Sequence, residues 1–164
     1  MTRREQLIGK DGEQLARSVL DGLGLEFIEK IGTPVKLIPV PSSRKNVYQV
    51  IFGEKVAADH RAMLPDGRSV LVEVKTVYDR NLVWSDLRDH QPAKLQQHAE
   101  FNGLSLLVWV HDSGVFVMRF PIEGFGPGKG INAYQAEILH ADTVRYITNN
   151  LKRIKQETLE MEPA

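Results

Sequence analysis

The chain has 164 residues, 21 basic and 21 acidic, and no cysteine. That length suits one domain, residues 1–164, with a sizeable core, and the missing cysteine excludes disulfides, thiolate metal sites and cysteine nucleophiles. No apolar run approaches the ~18 residues of a membrane span, and nothing apolar follows Met1-Thr2-Arg3-Arg4 to form a signal peptide, so no membrane association and a cytoplasmic home are expected.

The first helix is expected from Gly12 to Leu23, because Leu15, Ala16, Val19, Leu20 and Leu23 recur at helical spacing before Gly22 and Gly24. Glu13 then falls in its first turn, where a carboxylate favours the positive helix end. Strands are predicted at 35–38, 47–52 and 55–63, with Pro39, Pro41, Ser42 and Ser43 as a break. The segment 69–75 alternates and is rich in valine, so it is a strand. A second helix starts near Asp89, an N-cap, tolerates Pro92 in its first turn and closes at Asn102-Gly103. Residues 104–110 are nearly all apolar, as in a strand buried on both faces, and 115–120 return after a tight connection. The stretch 121–131 reads as a glycine-rich loop, and the last helix starts near Asp142 with Val144, Ile147, Leu151 and Ile154 on one stripe. This order predicts an α/β (α+β) protein with a mixed central sheet flanked by helices, with residues 141–164 as a C-terminal helix and tail.

The chemistry concentrates on one strand. Side chains alternate along it, so Val70, Val72 and Val74 share the core face while Glu73 and Lys75 share the other. The turn Leu64-Pro65-Asp66-Gly67-Arg68 has the residues of a type I turn closed by a left-handed glycine. If Leu64 pairs with Arg68, Asp59 lies opposite Glu73. Opposed like charges have Cβ atoms ~5 Å apart and repel, unless a cation sits between them. Two carboxylates suffice for a hard cation that keeps its waters. Asp59 and Glu73 are therefore the candidate ligands of Mg²⁺ or Mn²⁺, to which the Val74 carbonyl is added as a further candidate, and Lys75 stands beside the water that attacks phosphorus. The alternative is an exposed hairpin in which Lys75 merely pairs with Glu73.

Other motifs carry less. Gly126-Pro127-Gly128-Lys129-Gly130 lacks the glycine and hydroxyl positions of a phosphate loop. The five histidines show no ligand spacing, and His60 points away from Asp59's face. Trp109 and Phe116 belong in the core, whereas Trp84 is the better surface aromatic. Zero net charge is unusual for a nucleic-acid binder, although Arg3/Arg4, Arg44/Lys45 and Lys152/Arg153/Lys155 are local basic patches.

Five stretches resemble, in order, the RecU-type Holliday junction resolvases of the PD-(D/E)xK nuclease superfamily. They are Gly9-Lys10-Asp11-Gly12-Glu13, Lys30 to Leu37 with Thr33-Pro34, Asp59 with Glu73-Val74-Lys75-Thr76, Leu87-Arg88-Asp89-His90-Gln91 with Leu95, and Gly103 to Val110. The resemblance implies a restriction-endonuclease-like fold and a homodimer that cuts paired strands of a DNA four-way junction with Mg²⁺ or Mn²⁺. It further implies that Asp59, Glu73, Lys75, Glu13 and Gln91 are catalytic. Glu13 would support a bound water or second ion, and Gln91 would orient Lys75 or touch the scissile phosphate. A stalk at 41–49 would grip the branch point through Arg44 and Lys45, with Lys36 and Arg4 as further DNA contacts. The family's Asp-Tyr is replaced here by Asp59-His60. Rival readings are another nuclease of the superfamily, of restriction or repair type, and a non-catalytic DNA-binding module on the same fold.

Overall fold

The computed structural model describes residues 3–32, 35–39, 48–52 and 58–161, and the side chains of 3–10, 35–39, 48–52, 158, 159 and 161 lie outside that description. Helix α1 (Arg3–Gly22) is followed by strand β1 (Glu26–Lys30) and a two-stranded ribbon of β2 (Val35–Pro39) and β3 (Tyr48–Phe52). Strands β4 (His60–Met63) and β5 (Ser69–Thr76) form a hairpin. After β6 (Leu82–Val83) and a short 3₁₀ turn (Trp84–Asp86) come α2 (His90–Glu100), β7 (Leu104–His111), β8 (Gly114–Phe120), β9 (Gly130–Ile131) and α3 (Ala133–Met161).

Five strands make the main sheet in the order β1-β4-β5-β7-β8, antiparallel throughout except for the parallel β5–β7 pair. The parallel pair requires a crossover, and α2 supplies it. Central β5 is therefore covered on both faces. On one face Val70, Val72 and Val74 pack with Ala16 and Leu20 of α1 and Ile147 of α3. On the other, Leu107, Trp109 and Met118 pack with Leu95 of α2 and Leu82. Strand β7 is buried along both faces, which is why it reads as an unbroken apolar run. This is the restriction-endonuclease-like α+β arrangement expected, with the carboxylate pair on the sheet's inner strands.

Several boundaries differ from expectation. Helix α1 begins at Arg3, nine residues earlier than predicted, because Arg3 to Gly12 is polar and carries little apolar period. Glu13 is consequently mid-helix and gains nothing from the helix end. Helix α3 also begins nine residues early, at Ala133, capped by Asn132, whose Oδ1 accepts from Gln135 N at 2.8 Å while Asn132 N donates to Gln135 Oε1 at 3.1 Å. Asp89 holds the N-cap position of α2 without a side-chain cap bond. At the other end the left-handed residue is Asn102 (φ 65°), with Gly103 N bonded to His98 O at 3.0 Å and Asn102 N to Ala99 O at 3.2 Å. Trp84 is not a free surface aromatic, since its ring lies 6.4 Å from Phe120 and 5.3 Å from Phe125.

Candidate active site

The β4–β5 turn sets the geometry. Leu64 N donates to Arg68 O at 2.9 Å and Gly67 N to Leu64 O at 2.8 Å, with Gly67 at φ 85°. The ladder then runs Met63↔Ser69, Ala62↔Val70, Arg61↔Leu71 and His60↔Val72. Asp59, on the bend before β4, continues it: its N–H donates to Val72 O at 3.0 Å, and its carbonyl accepts from Ile31 N at 2.8 Å. Asp59 thus lies across from Glu73, in the register the turn residues predict.

Both carboxylates are held. Asp59 Oδ2 accepts from Val74 N at 2.8 Å, so the side chain replaces a missing ladder acceptor. Glu73, only 1 % exposed, is gripped on one oxygen. Its Oε1 accepts from Lys75 Nζ at 2.8 Å and from Gln91 Nε2 at 2.5 Å. The orientation of the Gln91 amide follows from its partners, because Oε1 accepts from both Lys75 Nζ at 3.0 Å and Arg88 N at 2.8 Å. Gln91 therefore closes the first turn of α2 and ties Lys75 to Glu73. The other oxygen, Glu73 Oε2, is buried and has no hydrogen-bond donor.

Electrostatics agree with that geometry. Burial first, and the Asp59 carboxyl second, push Glu73 up to about 7, against the opposing pull of Lys75. A buried carboxylate oxygen lacking a donor, beside another carboxylate, is costly unless a proton or a cation intervenes. The donor set fits Mg²⁺ or Mn²⁺: two hard carboxylates, one with an uncommitted buried oxygen, and the Val74 carbonyl on the same strand edge as the Val74 N–H that Asp59 binds. Among the described residues no three histidine, aspartate or glutamate side chains cluster to hold a metal, so a cation here would rely on waters and backbone for its remaining ligands.

The structure does not bring every predicted residue to this spot. Glu13 Oε2 pairs with Lys30 Nζ at 2.5 Å and, among the described residues, forms no three-carboxylate metal cluster with Asp59 and Glu73. The signal for that pairing, a basic residue on the strand after the helix, is too common to find by sequence. Helix α1 nevertheless approaches β5 closely: a Cβ on Gly12 would lie 2.1 Å from Thr76 Oγ1, next to Lys75. That contact was missed because Gly12 was read as a helix start. His60 is buried with an unpartnered Nδ1, and desolvation lowers its pKa despite Asp59 and Glu13. Arg44 and Lys45, and most of the expected stalk, lie outside the described residues. Arg4 falls in α1 and Lys36 in β2, both without described side chains.

A mixed sheet with a hairpin carboxylate pair and an adjacent lysine defines the class: a nuclease of the restriction-endonuclease-like fold. The chain belongs to the RecU family, since the profile of Recombination protein U matches residues 19–123. No curated protein sequence matches it. Among solved structures it is similar to Archaeoglobus fulgidus Hjc, a Holliday junction resolvase from an archaeal hyperthermophile, at 15% identity and a TM-score of 0.47 over 77% of this chain and 93% of that one. It is also similar to SSO0001, at 18% identity and a TM-score of 0.40 over 88% of this chain and 62% of that one. No helix among the described residues is long and apolar enough to cross a membrane.

Proposed function

We propose that this RecU-family protein resolves Holliday junctions by divalent-metal-dependent hydrolysis of paired phosphodiesters, acting as a homodimer with one cut per protomer. The observation that carries this reading is Glu73. One of its oxygens is held by Lys75 and Gln91, while the other is buried, undonated and beside Asp59. A structural ion pair gives no reason to set a second carboxylate beside it.

Asp59, Glu73 and the Val74 carbonyl would hold Mg²⁺ or Mn²⁺, which when bound supplies Lewis-acid activation of water and neutralises phosphate charge. The chain's own groups do the rest. Val74 N–H fixes the Asp59 carboxylate through Oδ2. Gln91 holds Lys75 beside Glu73, so its ammonium stays close to the reacting phosphate and stabilises the oxygens that gain charge. Held in this way, Lys75 takes an orienting and charge-stabilising role. Arg44, Lys45, Lys36 and Arg4 are assigned to the DNA backbone, where phosphate contacts position without reading sequence.

The deciding experiment is incubation of an end-labelled four-way junction with and without Mg²⁺, followed by mapping of the nicks. Symmetric paired nicks that need the metal are expected, with little cutting of a matched linear duplex. Equal cutting of the linear duplex would favour a restriction- or repair-type nuclease instead. Salt-sensitive binding without any cutting would leave only a DNA-binding module.

A further inference from the structure

The Gly126–Gly130 segment gains a role once its geometry is seen. Lys129 N donates to Gly126 O at 2.9 Å, Gly128 sits at φ 73°, and Gly130 pairs with Val83 on the β6–β9 ribbon. A Cβ on Gly130 would lie 3.0 Å from Leu82 O, so a side chain there would crowd the ribbon. The glycines therefore build a turn that presents Lys129, exposed, at the rim of a cleft of about 650 Å³. Asn81, Trp84 and Ser85 line one wall, and Lys129, Asn132 and Gln135 the other. The first wall lies within the family match of residues 19–123, whereas the second lies beyond it. The cleft is thus completed by the part of the chain outside that match.

Its chemistry is specific. No acidic side chain lines it. The ammonium of Lys129 pairs with no carboxylate among the described residues. The neighbouring acid, Asp86, is already held by Arg80 at 2.6 Å and by Val83 N at 2.9 Å. Trp84 is packed against Phe120 and Phe125, which holds its ring in place. Amide and hydroxyl groups complete the lining. An aromatic face, a lone cation and neutral donors are the combination that binds unpaired nucleotides without sequence preference. A single lysine is too little for a triphosphate but enough for one backbone phosphate. Ser85 on its wall is followed by Asp86, which lies within electrostatic range of Lys75, and by Gln91 six residues on.

We propose that this cleft receives an unpaired stretch of substrate DNA next to the cut, with one base stacked on Trp84 and its phosphate on Lys129. The assignment rests on the nuclease reading for the identity of the strand, but its test does not need cleavage. The chain has two tryptophans. Trp109 is fully buried and donates to Val77 O, so ligand-sensitive fluorescence reports on Trp84. Titration of the metal-free protein in EDTA with oligothymidylate about four nucleotides long should quench that emission. Lys129→Glu and Ser85→Glu, both at exposed positions, should each weaken the interaction by about tenfold or more, the order expected for losing one stacked or phosphate-bound nucleotide. Lys129→Ala should lower the salt slope of binding by about one. Circular dichroism checks that each variant is folded. An unquenched Trp84, or Lys129→Glu and Ser85→Glu variants that bind like wild type, overturns the proposal while leaving junction cleavage by wild type intact. Absence of any metal-dependent cleavage would instead defeat the nuclease reading and leave a quenched Trp84 standing.

Discussion

Replacing Glu73 by glutamine should make the metal-free protein more stable and inactive at once. Glu73 rises from 4.5 to about 7 in the folded chain. A carboxyl whose folded pKa is raised keeps its proton better when folded, so its contribution is fully present below 4.5 and is lost as pH rises through 7. At about 1.36 kcal/mol per pH unit, ionising it by pH 8 costs the folded state about 3 kcal/mol, an upper figure. Glu73→Gln removes that charge yet keeps an acceptor for Lys75 and Gln91. In EDTA at pH 8 its melting temperature should exceed wild type by about 6–12 °C, at roughly 2–4 °C per kcal/mol for a chain this size. At pH 5 the gap should nearly close. Added Mg²⁺ should stabilise the wild type, by about 2.7 kcal/mol at a hundredfold excess over Kd, and leave the variant unmoved. Junction cleavage by the variant should fall to background. Thermal melts at the two pH values, with and without Mg²⁺, test all of this. A variant less stable than wild type at pH 8, or a wild type indifferent to Mg²⁺, would refute the view that Glu73 Oε2 awaits a cation.

The same site makes three further predictions. Metal affinity, read by calorimetry, should weaken by about tenfold per pH unit below 7, with a proton released on binding, because Glu73 must ionise first. Gln91→Ala should lower kcat by about 10–100-fold with less change in KM, since it frees Lys75 and Glu73 without removing either. Gly12→Ala should destabilise by about 1–3 kcal/mol in urea melts, because its Cβ would sit 2.1 Å from Thr76 Oγ1, and Thr76→Ala in the same chain should recover much of that loss.

The site was more legible than the fold's ends. Asp59, Glu73 and Lys75 could be placed because strand alternation and turn chemistry act over a few residues, and both were written in Pro65-Asp66-Gly67 and the three valines. Gln91 needed the family resemblance to be noticed at all, since a glutamine in a helix's first turn is ordinary. Glu13's place in the helix was misread because residues 3–12 are mostly polar and carry little apolar period to mark an earlier helix start. Strands β6 and β9 have two residues each, too short for any periodicity. Trp84 looked exposed because its partners Phe120 and Phe125 are remote in sequence.

What keeps the carboxylates opposed, against their mutual repulsion, is the fixed register of one hairpin. A slip of one residue would turn Glu73 into the valine-lined core and Val72 or Val74 onto the reacting face. Gly67 at φ 85° fixes the turn locally. Arg68 fixes it from outside, bonding Asp66 Oδ2 at 2.8 Å, Tyr146 OH at 3.0 Å and Asn150 Oδ1 at 3.1 Å, so that α3 clasps the turn. Arg119 stacks over Tyr146 at 4.2 Å and extends the clasp to β8. Helix α3 lies beyond the family match, yet it secures the turn on which the matched residues depend. The energy that holds two like charges together is therefore drawn from packing and hydrogen bonds remote from them, and a cation has only to bind a pair already aligned.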